Sequence, residues 1–136
     1  MVKTITVSKK ARLTEALKVM VKHDIGSVVV AEDHKGIGIL TERDIMKIVT
    51  LNPELLRKKV EDIMSKPLIT VAEDTPVWDA FRIMLRHKIR RLPVEKDGKL
   101  IGIVSERDLF RWVMLVVYDQ NTPDDIKEVV QKGYPR

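Results

Sequence analysis

The sequence predicts a mixed α/β (α+β) fold made of two tandem β-α-β-β-α repeats, and three observations point to it. First, the stretch Gly-Ile-Leu-Thr-Glu-Arg-Asp-Ile at 38–45 recurs as Gly-Ile-Val-Ser-Glu-Arg-Asp-Leu at 102–109. Second, the chain slid against itself by 64 residues matches without a gap. Ile5-Thr6-Val7 falls on Ile69-Thr70-Val71, and Ala16, Met20, His23, Ile25 and Val30 fall on Ala80, Met84, His87, Ile89 and Val94. Roughly a third of the paired positions are identical, the signature of an internal repeat. Third, each copy alternates short β-branched runs with apolar residues at helical spacing, so strands and helices take turns.

In the first copy, residues 3–7 read as a short strand, and Leu13, Ala16, Leu17, Met20 and Val21 have the spacing of one helix face. Residues 27–31 are a β-branched run, 32–36 a polar turn ending in glycine, and 37–40 a second strand. A helix from Glu42 to Thr50 closes the unit, and Asn52-Pro53 ends that helix. The first motif is thus 1–52, and 53–59 is a short charged linker.

The second motif spans 60–117 and adds a turn of helix at 60–64. Residues 67–71 are its first strand. Thr75 before Pro76 reads as an N-cap followed by proline at the first helical position, opening a helix to about His87. Strands at 92–95 and 100–104 flank the turn Lys96-Asp97-Gly98-Lys99, Asp-Gly being a strong hairpin signal.

A last helix starts at Glu106, and from Leu109 to Tyr118 only Arg111 is strongly polar. A helix apolar on every side has to be buried on every side. Phe110, Met114, Leu115 and Val117 are therefore expected to meet a second copy of the chain. A compatible alternative is that the tail, 118–136, folds back over them through a short helix from Pro123 to about Lys132.

The 136 residues have room for one ordinary domain or two very small ones, and an apolar fraction of 44% suffices for a core. No apolar run approaches a membrane span and no signal segment opens the chain, so a cytoplasmic location is expected. The absence of cysteine excludes disulfides, thiol catalysis and Cys-ligated zinc, and three scattered histidines argue against a metal site. Charged residues reach 33% while amides are few, as in heat-adapted proteins. The net charge of +5 suits an anionic ligand but is too mild to decide anything.

Both repeated stretches place a strand end against a helix start, where unpaired N–H groups and the helix dipole favour an anion. There the hydroxyl of Thr41 or Ser105 and the first-turn amides can donate to a phosphate. Asp44 or Asp108 can accept from two ribose hydroxyls, with Arg43 or Arg107 beside it. The same residues can equally form a capping box, which satisfies a helix start without any ligand.

Two β-α-β-β-α units, each ending in Gly-apolar-apolar-Thr/Ser-Glu-Arg-Asp, resemble a cystathionine-β-synthase (CBS) domain pair. Val60-Glu61-Asp62-Ile63-Met64 leading to Leu68-Ile69-Thr70-Val71 supports it, as does Met84-Leu85-Arg86-His87 leading to Arg91-Leu92-Pro93-Val94. The likeness covers residues 2–117. It implies two units packed through their sheets about a pseudo-two-fold axis, with clefts for an adenine nucleotide (AMP, ADP or ATP) or a related adenosyl compound such as S-adenosylmethionine. It implies an adenine slot lined by Thr4, Ile5, Ile25, Gly26 and Val28 in one copy and Leu68, Ile69, Ile89, Arg90 and Leu92 in the other, most of which would serve equally as core. It also implies a homodimer through the helices from Glu42 to Thr50 and from Glu106 to Tyr118, and regulation of a separate, unidentified partner.

The repeats differ in charge. Arg86, His87, Lys88, Arg90 and Arg91 crowd the second, where the first has Lys22, His23, Asp24, Gly26 and Ser27. These cations form a solvated face, or Arg90 and Arg91 reach a nucleotide's phosphates, making the Ser105–Asp108 cleft the tighter one. A sensor without catalysis or resident cofactor is the leading expectation, because no nucleophile–base pair, metal-ligand spacing or Gly-rich loop is present. Two alternatives are a nucleic-acid binder using 86–91 and a ligand-free scaffold. The former is disfavoured by six aromatics in all and by the lack of any RNP or helix-turn-helix pattern.

Overall fold

The structure, a computed structural model, describes residues 4–114 and 120–132, with side chains described as far as 128 in the last helix. In order come β1 (Thr6–Ser8), α1 (Leu13–His23), β2 (Ser27–Glu32), β3 (Lys35–Thr41) and α2 (Glu42–Leu51). After two short 3₁₀ turns follow β4 (Val71–Ala72), α3 (Val77–His87), β5 (Arg91–Lys96), β6 (Lys99–Ser105), α4 (Glu106–Trp112) and finally α5 (Asp124–Lys132). The doubled β-α-β-β-α order is the one the repeat predicts.

Each repeat builds one three-stranded sheet, β1-β2-β3 and β4-β5-β6. The first two strands of each run parallel, which requires the crossover that α1 and α3 supply. Strand β2 pairs antiparallel with β3 through a two-residue turn at Asp33 and His34 (φ 52° and 66°), matched in the second repeat by Asp97 and Gly98 (φ 53° and 77°). Two successive positive φ values give the turn hand that suits twisted strands. Gly36 is therefore not the end of the turn. It lies within β3, where a Cβ would strike the side chain of Leu68.

The first compact unit comprises Thr4–Ile69 with Asp97–Leu100. Val28, Val29 and Val30 in β2 are each at most 1% exposed, so this strand is covered on both faces. Leu13, Ala16 and Met20 of α1 close one side, but Val21, expected on the same face, is 81% exposed. It sits roughly 80° round the helix from Leu13, past the edge of the buried stripe.

The charged stretch 53–59 is more structured than a linker. Pro53–Arg57 forms a 3₁₀ helix, opened by the Asn52 side chain accepting from the Glu54 N–H at 3.1 Å. The chain is then stitched to the first repeat. Leu13 donates to the Lys58 carbonyl (2.9 Å), Val60 to that of Ala11 (2.8 Å), and Ile39 and Ser65 exchange a pair of bonds (3.0 and 2.9 Å). Val60 is fully buried in the first core.

The second unit comprises Thr70–Lys96 with the described residues of Ile101–Arg136. Its first strand is shorter than the expected 67–71, since only Val71 and Ala72 pair with β5; Pro67 has no N–H to offer a ladder. Helix α3 begins at Val77, not at Pro76. The Pro76 carbonyl accepts from Asp79 and Ala80 at 3.0 and 3.1 Å, so the proline is itself the cap, and no side chain caps this start.

The tail folds back on its own unit, as the alternative reading expected. Ile126 of α5, Phe81 of α3 and Val113 are all 0% exposed and form one cluster, with Phe110 packed against it. Trp112 and Met114 remain 46% and 48% exposed. Leu115, Val117 and Tyr118 lie outside the described residues. Among the described residues no helix is long and apolar enough to cross a membrane.

Candidate functional site

Each strand-to-helix junction is held by a backbone bond that brings the strand before it to the helix mouth. The Glu42 N–H donates to the Gly26 carbonyl at 3.0 Å, and the Glu106 N–H donates to the Arg90 carbonyl at 2.9 Å. These two glutamates were not among the residues expected from sequence to matter. Their signal was available, since in both repeats the pair is sixteen positions apart.

At the first junction Thr41 is an extended N-cap (φ −118°, ψ 162°). Its hydroxyl oxygen accepts from the Asp44 N–H at 3.3 Å, and its N–H and hydroxyl both donate to Asp44 Oδ2, at 3.1 and 3.0 Å. Hydroxyl and carboxylate therefore satisfy each other in a closed capping box. The Glu42 carboxylate lies over Gly26, about 3.2 Å from where a Cβ would stand. Arg43 is exposed and forms no ion pair among the described residues.

The second junction is open. Ser105 (φ −97°, ψ 158°) accepts from the Asp108 N–H at 3.1 Å, but the Asp108 carboxylate makes no return bond and is exposed. Arg90 occupies the position of Gly26, and its Nε lies 3.9 Å from Glu106 Oε1, a long pair with the arginine half exposed. Arg91 Nη1 donates to the Arg90 carbonyl at 3.2 Å, and Arg107 is exposed. Three arginines thus neighbour this junction in the chain, Arg90, Arg91 and Arg107, where the first has Arg43.

Thr4, Ile5, Ile25, Gly26, Thr41, Arg43 and Asp44 fall in the first unit, and Ile89, Arg90, Arg91, Ser105, Arg107 and Asp108 in the second. Leu68 and Ile69, expected beside Ile89, belong to the first unit instead, with Leu68 spent against Gly36. Val28 and Leu92, expected as slot walls, are 1% and 0% exposed and serve as core. Ile5, Ile25, Ile69 and Ile89 are half-buried. Thr4 Oγ1 is buried without a hydrogen-bond partner among the described residues. Extending the β1–β2 register by two residues sets Thr4 level with Ser27, which itself pairs with Thr41. Among the described residues no cluster of three or more metal-ligating side chains occurs.

The CBS domain model matches residues 1–51 and 60–115. The chain is 43% identical over 133 residues to an uncharacterised 17.7 kDa protein of Acidianus ambivalens, covering 96% of this chain and 79% of that one. It spans only 56% and 62% of two other archaeal relatives. Among solved structures it is similar to CBSX2 in complex with AMP (TM-score 0.74, 27% identity, 87% of this chain and 95% of that one). It is also similar to the domain pair of protein MJ0100 in complex with 5′-methylthioadenosine and S-adenosyl-L-methionine (TM-score 0.72, 33% identity, 82% and 92%).

Proposed function

We propose, from the premise that this chain belongs to the CBS-domain family, that it is a regulatory module that binds an adenine nucleotide or related adenosyl compound and passes its occupancy to a separate partner. The observation that carries this reading is the open second junction. An N-cap hydroxyl, the helix start after it and an Asp108 carboxylate with no bond among the described residues stand close to Arg90, whose carbonyl the Glu106 N–H meets, and to its neighbour Arg91. The Ser105 hydroxyl and the positive end of the helix suit a phosphate, Asp108 suits a ribose diol, and the arginines suit further charge. The relatives with AMP, methylthioadenosine and S-adenosylmethionine support the same ligand class.

No chemistry is assigned to the protein, which works as a binder in the cytoplasm rather than as an enzyme. Self-association belongs to this reading too. Helix α2 presents Met46 and Val49, neighbours on one face, at 70% and 46% exposure, with Leu51 81% exposed at its end, apolar surface that a second copy's helices from Glu42 and Glu106 would cover.

A thermal-shift series with AMP, ADP, ATP, S-adenosylmethionine and short oligonucleotides tests the proposal. A ligand at a hundredfold excess over its Kd adds about 2.7 kcal/mol, a rise on the order of 10 °C for a chain this size. Stabilisation by adenosyl compounds and none by oligonucleotides is the expected result. The reverse pattern would move the function to nucleic acid and the cations at 86–91.

A further inference from the structure

The run 57–59 and the start of α1 are far apart in the chain and side by side in the first unit. Leu13 donates to the Lys58 carbonyl at 2.9 Å and Val60 to that of Ala11 at 2.8 Å, and Arg12 and Lys59 form an antiparallel bridge between these bonds. Because the bonds flank the pair rather than join it, Arg12 and Lys59 are a non-hydrogen-bonded pair, the arrangement that brings opposed side chains closest. Both residues are extended, with φ −79° and −70° and ψ 155° and 146°. The next residues, Leu13 and Val60, are 0% exposed, so strand alternation turns Arg12 and Lys59 outward together, and both are exposed.

Two cations directly opposed across a bridge repel, which costs stability. The repeated fold does not demand them, since the positions 64 residues on hold Pro76 and Pro123. Nor is the repulsion relieved among the described residues. Arg12 Nη1 donates to the Arg57 carbonyl at 2.6 Å, but neither Arg12 nor Lys59 has an ion pair there. Their chain neighbours Lys10 and Lys58 are exposed and likewise without an ion pair among the described residues. Arg57 has only a wetted contact of 3.9 Å with Glu54.

Such a surface answers negative charge, and its surroundings select the kind. The first unit contains no Phe, Trp or Tyr, Trp78 being the first aromatic of the chain, so it offers nucleic-acid bases nothing to stack on. Carboxylates also flank it: Glu15 accepts from the Arg12 N–H, and Glu54 stands by Arg57. A continuous phosphate backbone would run against these acids, whereas a peptide can carry its own acids only where the cations are.

We infer that this bridge is a docking surface for an acidic segment of a partner protein, whose carboxylates settle between Arg12 and Lys59. It uses no residue of either strand-to-helix junction, so it stands whether or not an adenosyl compound binds.

Anisotropy of a fluorescein-labelled oligo-glutamate peptide, titrated with the full chain and with its Lys59→Glu and Arg86→Glu variants, tests this. Arg86 is exposed in the second unit, and its variant has the same net charge as Lys59→Glu. Lys59→Glu is expected to weaken the peptide by about tenfold or more and to raise the urea midpoint, because Arg12 then faces an opposite charge. Arg86→Glu should leave peptide affinity within about twofold at 0.15 M salt, where distant charges are screened. Equal losses in the two variants would reduce the effect to overall charge and overturn the surface, as would wild-type affinity in Lys59→Glu. A labelled DNA duplex held more tightly than the peptide, and released by Lys59→Glu, would overturn it in favour of nucleic acid. A urea midpoint that Lys59→Glu fails to raise would overturn its premise that the two cations oppose each other.

Discussion

Helices α2 and α4 begin with the same Glu-Arg-Asp after the same kind of hydroxyl, yet one start is shut and the other open. In α2 Thr41 and Asp44 are joined by three hydrogen bonds, one of them directly from hydroxyl to carboxylate. In α4 the Asp108 carboxylate makes no bond among the described residues. A shared motif therefore records descent from one unit. What differs is whether the Asp turns back onto its own cap, as Asp44 does, or makes no such return bond, as Asp108 does not.

The largest expected effect sharpens this contrast at the level of packing. Phe81→Ala, at 0% exposure under α5, should cost about 3–5 kcal/mol in urea unfolding. Leu17→Ala, its half-buried counterpart in α1, should cost clearly less, and equal costs would deny that α5 deepens the second core. Next comes the pair of aspartates. Asp44→Ala should lower stability by about 1 kcal/mol by opening the box, with a small change in AMP affinity. Asp108→Ala should leave unfolding nearly unchanged and weaken AMP by about tenfold or more, the worth of charge-assisted bonds to a diol. Equal affinity losses at both positions would erase the proposed inequality of the junctions.

A smaller effect is expected from moving the arginine. Arg90→Gly should weaken ATP by a few-fold, with steeper loss at low salt, while leaving 5′-methylthioadenosine unaffected. Gly26→Arg should do the opposite for ATP at the first junction, after the Glu42 side chain swings clear of the new Cβ.

The smallest effect is acid sensitivity confined to the second unit. Hydrogen bonds from Arg82 hold the Asp125 carboxyl below its usual range. Its contribution is therefore present above the ordinary aspartate pKa and fades as pH falls through the lowered folded value. Exchange in α5 should accelerate below about pH 4 before that in α2 does, and Asp125→Asn should remove the difference.

Much of this architecture was legible because the chain states it twice. The strands around 27–41 and 91–105 were fixed by β-branched runs and a turn between them, and the N-caps Thr41 and Ser105 by the motif. What stayed hidden depends on distant partners. Val21 has the spacing of a core residue, but only the width of the stripe facing β2 decides that it is exposed. The run 53–59 looks like solvated charge because its order comes from Asn52 capping and backbone bonds to α1, neither of which has a compositional mark. Nothing in Asp125-Ile126 names Arg82 and Phe81 as their counterparts. Within the site, sequence could say that an Asp follows each hydroxyl by three, and could not say which of the two was already spoken for.

Gly38 has its own consequence. A Cβ there would run into Met64 and the Ser65 carbonyl, so the space that a side chain would take is filled by the passage from one repeat to the next. During synthesis the amino-terminal half is thus incomplete until residues through Leu68 have left the ribosome. A single ancestral copy cut off before that point would have shown a bare trough along β3, which only a following copy, or a borrowed one, could fill.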